Sequence, residues 1–94
     1  MKIIRFMDDF VDAILSGRKT STMRQNTNRI PNVGEYVTLS SKERPEFAIA
    51  FVKYVDENPI INPSERRALR KIYGGNLNKI CRIHFVLHAT SDSA

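Results

Sequence analysis

The decapeptide EFAIAFVKYV, residues 46–55, constrains the fold more than any other stretch of the chain. In an extended chain Phe47, Ile49 and Phe51 share one face, and Ala48, Ala50 and Val52 share the other. Both faces are apolar, the pattern of a central strand buried on each side. Other segments must therefore supply neighbouring strands and covering helices.

The flanking segments do so in a regular order. KIIRF (2–6) reads as an opening strand. MDDFVDAILSG follows with Met7, Phe10 and Ile14 at helical spacing, Leu15 beside them and aspartates in the first turn, which predicts a three-turn helix ending at Gly17. RKTSTMR (18–24) suits an extended segment, and QNTNRIPNVG (25–34) is a polar loop. EYVTLSS (35–41) alternates Tyr36 and Thr38 against Val37 and Leu39 as a strand, and KERPE turns the chain. DENPII is a loop. NPSERRALRKIYGG starts a helix with Asn62 as N-cap, Pro63 at the first position and Glu65 at the third, ended by Gly74. KICRIHFVLHA (79–89) is a closing strand with Cys81, Ile83, Phe85 and Leu87 on one face, and residues 90–94 form a polar, fraying tail.

Five strands and two helices on 94 residues predict a single α+β domain over residues 1–89, mainly β. It would be a small closed or nearly closed barrel, since closure removes exposed strand edges. A chain of this size buries roughly 60–65% of its unfolded surface, enough for one modest core. Repeats and linkers are absent. Cys81 is the only cysteine, which excludes an internal disulfide and fits a reducing compartment. The start turns acidic after five residues, unlike a signal peptide, and no apolar run approaches the ~20 residues of a membrane span. These features predict a cytoplasmic protein with no membrane partner.

Fifteen Lys and Arg against ten Asp and Glu give a net charge of +5. That balance favours phosphate-bearing partners, nucleic acid first, or describes an ordinary soluble basic domain. Three of these cations, Arg18, Lys19 and Arg24, stand in SGRKTSTMR (16–24) among hydroxyls. A regular strand there would put Arg18, Thr20, Thr22 and Arg24 on one face and Lys19, Ser21 and Met23 on the other. An exposed edge strand accounts for such a composition. So does a site for a phosphate or a polar base edge, which needs guanidinium forks and hydroxyls.

The run ILSGRKTSTMR followed by VGEYVTL resembles the ASCH (activating signal cointegrator homology) family. The matching residues are Gly17, Lys19, Thr20, Thr22 and Arg24, then Gly34, Glu35 and Val37. FAIAFVKYVDENP and the KIYGG helix end extend the likeness more loosely. The resemblance implies a PUA-like β-barrel with a cleft beside the signature, and RNA or nucleotide binding. Some members are hydrolases, acting on acetylcytidine or as ribonucleases. In the deacetylating members a lysine, the second threonine and a downstream glutamate carry the chemistry. The first two carry over onto Lys19 and Thr22, and Glu57 is the nearest counterpart of the third, although the chain is shorter there.

The physical reading of that triad is conditional. Neighbouring cations disfavour a charged Lys19, which would then serve as base or nucleophile, and a carboxylate would complete the acid–base work. Lys19 and Thr22 point to opposite faces of a flat strand, so the chemistry requires a bend or bulge between them. Glu65 is a second acidic candidate, although its position suits helix capping. Arg66, Arg67, Arg70 and Lys71 fall within about 140° of a helical wheel and either track an RNA backbone or form a solvated face.

His84 and His88 share a face with Arg82 but stand ~13 Å apart in a strand, so no metal is expected, and Cys81 reads as core. Tyr36, Tyr54 and Phe51 form a possible base-stacking set, with Phe51 better placed in the core. Arg29, in RQNTNR, lies beside the signature.

The sequence therefore predicts an RNA- or nucleotide-binding domain without cofactor. Arg18, Thr20, Arg24, Arg29, Arg66 and Arg70 would hold the ligand, and Lys19, Thr22 and Glu57 would occupy the reactive position. A small hydrolase of RNA or modified nucleosides, and a non-catalytic protein-interaction module, are the alternatives.

Overall fold

Phe85, Ile14, Leu39, Ile83, Val11 and Val37 are the most deeply buried large side chains, and they come in pairs from one helix and two strands. The structure is a computed structural model that describes residues 1–75 and 79–91. Its strands are β1 (Lys2–Phe6), β2 (Ser21–Gln25), β3 (Tyr36–Ser41), β4 (Ala48–Asp56) and β5 (Ile80–Thr90); its helices are α1 (Val11–Leu15) and α2 (Pro63–Tyr73). One five-stranded sheet runs in the order β1-β3-β4-β5-β2. β1 lies parallel to β3, and the other neighbours are antiparallel. The sheet curls into a half-barrel, the small mainly-β architecture expected of the sequence.

The core fills the concave side. Ile4 and Phe6, Val37 and Leu39, Ala48, Ala50 and Val52, and Cys81, Ile83 and Phe85 alternate inward from four strands, and Val11 and Ile14 of α1 close over them. Period-two alternation places each set on one face. Phe6 meets Phe47 and Phe85 with ring centroids 6.4 and 6.3 Å apart. A second, smaller cluster joins Met23 of β2, Leu69 of α2 and Ile80, with Ile61 and Tyr73 against them. This cluster docks α2 onto β2.

Several elements differ from the sequence expectation. β4 is central but not covered on both faces: Ile49 and Phe51 remain half-exposed, because α2 packs over Met23 and Ile80 rather than over β4. The first helix is broken. Asp8–Phe10 form a 3-10 turn before a five-residue α1, since the Asp8 carboxylate accepts from the Glu43 backbone N–H at 2.9 Å and ties the turn to the β3–β4 connection. Phe10, read as a core position, is 41% exposed. β5 runs to Thr90, and the Ser91 N–H donates to the Phe47 carbonyl at 2.9 Å, so pairing reaches into the segment expected to fray. Residues 92–94 of that tail lie outside the described residues.

α2 follows its sequence closely. The Asn62 side chain accepts from the Glu65 N–H and the Glu65 carboxylate accepts from the Asn62 N–H, a complete capping box with Pro63 inside it.

Candidate functional site in the groove between β2 and α2

The signature segment leaves α1 through Gly17, whose φ of +81° is a conformation side chains resist. The Gly17 N–H donates to the Ile14 carbonyl at 3.1 Å and the Lys19 N–H to the Ala13 carbonyl at 2.9 Å. Residues 18–20 are therefore bound to the end of α1 and cannot start a strand. Sheet pairing begins where the Thr20 carbonyl accepts from Phe85 N–H at 3.0 Å. The expected strand over 18–24 is thus a bend followed by β2. This bend removes the parity conflict: Lys19 and Thr22 line the same groove of about 530 Å³, between β2 and α2. Phe10, Glu65, Ile72 and Arg82 are among its other walls.

Lys19 is half-buried, with Nζ 4.8 Å from the centroid of the Phe10 ring. Burial pushes its pKa below the ordinary lysine value; Arg24 and then Arg82 push the same way, and Glu65 opposes them. Thr22 is 4% exposed, and its Oγ1 accepts from Arg24 Nη1 at 2.5 Å.

Arg24 is committed to the protein itself. Besides Thr22, Nη1 donates to the Met23 carbonyl at 2.7 Å, and Nη2 donates to the Arg5 carbonyl at 2.6 Å. Its guanidinium carbon lies 5.1 Å from the centroid of the Phe6 ring. β1 and β2 are the two sheet edges, so Arg24 spans the seam where a closed barrel would have a backbone ladder. Its burial lowers its pKa, yet an arginine keeps its charge at any ordinary pH.

The groove's carboxylate is Glu65. Arg82 Nη2 donates to its Oε1 and Oε2 at 3.2 and 3.0 Å, while Oε1 also accepts the Asn62 N–H at 3.2 Å. Capping and groove-lining are therefore the same placement. Glu57 is exposed and lines a separate depression with Lys2, Asn26 and Val55, away from Lys19 and Thr22.

The other expected residues divide in the same way. Arg18 and Thr20 are exposed and line the groove, Arg18 held by its Nε donating to Ser16 Oγ at 3.0 Å. Arg29 lines a neighbouring cavity of about 520 Å³ that shares Arg24 as a wall. Arg66 and Arg70 are exposed on α2 but do not line the groove, which Glu65, Leu69 and Ile72 face.

Sequence reasoning did not select Phe10, Ile72 or Arg82. Phe10 stood at helical spacing with Met7 and Ile14, and Arg82 carried no signal beyond its strand position. Among the described residues, no group of three His, Cys, Asp or Glu residues could hold a metal ion, and no helix is long and apolar enough to cross a membrane.

The remaining signature residues build the frame. Gly34, at φ +90°, donates its N–H to the Val52 carbonyl at 2.8 Å. Glu35 accepts from the Asn32 N–H at 2.6 Å and from Lys2 Nζ at 3.3 Å. These contacts, the backbone bond first, hold its carboxyl below the usual range. GEYV therefore fastens β3 to β1 and β4.

This frame also appears in solved structures. A crystal structure of a serine-to-alanine variant of ZmASCH from Zymomonas mobilis superposes with a TM-score of 0.60 at 18% identity, covering 95% of this chain and 68% of that one. A tyrosine-to-phenylalanine variant of the same protein gives 0.58 at 17% identity, covering 95% and 69%. The fold is ASCH-like. No family model and no curated protein matches the sequence. The ASCH-like architecture therefore rests on backbone geometry, and it agrees with the signature in residues 14–39.

Proposed function

We propose that the groove between β2 and α2 binds RNA or a nucleotide. The observation that carries this reading is the composition of one cavity of about 530 Å³: four cations, Arg18, Lys19, Arg24 and Arg82, with apolar walls at Phe10 and Ile72. Cations suit a phosphate, hydroxyls and the Glu65 carboxylate suit a polar base edge, and Phe10 suits the base face. Arg24 contributes by holding Thr22 and the seam rather than by holding the ligand.

The test is fluorescence anisotropy of labelled single-stranded RNA at low salt with the wild type and Lys19→Ala. Binding that weakens at least several-fold in the variant supports the reading. Wild-type affinity that is absent at low salt, or unchanged in a folded Lys19→Ala, rejects the groove.

A second reading is a hydrolase of RNA or an acylated nucleoside, favoured by the lowered pKa of Lys19 beside the Thr22 hydroxyl. Thr22 Oγ1 accepts from Arg24, so its own proton is available to be given or taken. Lys19 in its neutral form would take a proton or attack a carbonyl, and Glu65 is the carboxylate that shares the cavity. Shortened RNA on a denaturing gel, or release of the acyl group from an acylated nucleoside, by the wild type and not by Lys19→Ala, would establish this chemistry. Intact substrate with both proteins would leave a binding module.

A further inference from the structure

The convex side of the sheet carries aromatic rings that the core does not use. Two cross-strand rows stand on it. Tyr36, Phe51 and Val86 lie opposite one another on β3, β4 and β5, and Tyr54, His84 and Ser21 do so on β4, β5 and β2. The Tyr36 ring meets Phe51 edge-on at 5.3 Å and His88 at 4.9 Å; Tyr54 meets His84 at 5.5 Å. Tyr36 is 44% and Tyr54 55% exposed. A β-bulge between Val52 and Tyr54 sets the second row, restoring an outward Tyr54 after the buried Val52.

This face is continuous with the groove. Ser21, the end of the second row, lines the groove, as does Arg82 two residues before His84 on the same face of β5. A smaller cavity joins Lys19 and Thr20 to Lys53 and Val86, and so reaches the first row. Cations thus border the path from the groove to the rings: Arg18, Lys19, Arg82 and then Lys53.

We infer that this face extends the groove as a stacking platform for single-stranded RNA, with one base on Tyr54 and another on the Tyr36–Phe51 pair. The inference rests on reading the groove as an RNA site. Strands about 4.8 Å apart present rings in a row that successive unstacked bases can cover, and aromatic sheet faces bind single strands in this way. The bordering cations select an anionic occupant. A second copy of this chain, with its net charge of +5, would bring like charge against like.

The experiment compares a nucleoside monophosphate with a labelled RNA dodecamer, using wild type, Lys19→Ala, Tyr36→Leu and Tyr54→Leu. Leucine keeps apolar bulk and removes the ring face. The expected result is a dodecamer affinity lower by roughly fivefold to a hundredfold for each tyrosine variant, with monophosphate affinity unchanged.

Photo-crosslinking of wild-type protein to thiouridine-bearing RNA gives an independent readout should a leucine variant not fold. Adducts on the peptides holding Tyr54 or Tyr36 support the platform, and adducts confined to the groove oppose it. Unchanged dodecamer affinity in both tyrosine variants, with Lys19→Ala still weakened, overturns the platform and leaves the groove standing. Loss of self-association in sedimentation without loss of RNA affinity makes the face a protein interface and also overturns it. No RNA binding by the wild type removes both readings together.

Discussion

Lys19 illustrates how one residue can be costly to the fold and useful to a site. Its ammonium is half-buried beside two arginines, so the folded chain holds that proton less tightly than the unfolded chain does. Stability therefore rises as pH climbs through the window between the lowered folded value and the ordinary 10.5, and below that window the charge opposes folding. Lys19→Met should raise the urea midpoint at neutral pH, and its advantage should shrink toward pH 10.5. Cys81, whose thiol burial pushes upward, is common to both proteins and drops out of the difference. A variant less stable than wild type at neutral pH would show that the contact over Phe10 outweighs desolvation. An anionic ligand would favour the protonated form that burial disfavours, which couples binding to the charge of this one group.

At the scale of elements, the decisive contact is the one that replaces a strand pairing. β1 and β2 are sheet edges, and the Arg24 guanidinium reaches from β2 to the Arg5 carbonyl on β1 while anchoring Thr22. A lysine carries one donor centre and cannot serve both directions. Arg24→Lys should lower stability by about 2 kcal/mol or more, the scale of a lost charged hydrogen bond with partners left unpaired. Urea unfolding measures this, and β1 amides should exchange faster in the variant. A change under about 0.5 kcal/mol, the range of neutral surface substitutions, would show that the seam does not depend on Arg24. α2 poses the opposite case, because its Asn62–Glu65 box satisfies its own end while the same Glu65 meets Arg82 across the groove.

For the whole molecule the question is how the charge of +5 is distributed. Arg24 is tied to Thr22 and the β1–β2 seam and Arg66 and Arg70 lie outside the groove, so under the proposed RNA reading the cations left to meet phosphate are Arg18, Lys19, Arg82 and Lys53. Each phosphate contact to a single strand contributes about −0.7 to the slope of log affinity against log salt, so four give a slope of roughly −3. Anisotropy titrations across a salt series measure that slope. A value much steeper would bring the α2 cations into the interface, and a flat response would reject backbone contact altogether.

Local chemistry was legible wherever neighbours in sequence are also neighbours in space. β3 and β5 follow from alternation, β4 from its apolar run, α2 from Asn62, Pro63 and Glu65, and the ends of α1 and of the 25–34 loop from glycines at positive φ. The basic signature and its likeness to ASCH proteins were likewise readable from residues 14–39. Three features were not. Which carboxylate faces Lys19 depends on how α2 docks through Leu69 on Met23, and this brings Glu65 rather than Glu57 to the groove. Whether Arg24 holds a ligand or the fold depends on β1 and β2 being the two edges of one curled sheet, a pairing order no local pattern encodes. The bend at residues 18–20 depends on the Lys19 N–H finding the Ala13 carbonyl at the end of α1. Sequence determined the elements because their causes are short-range. Tertiary structure alone decided the roles of the charged residues, because a charge takes its function from whatever the packing sets opposite it.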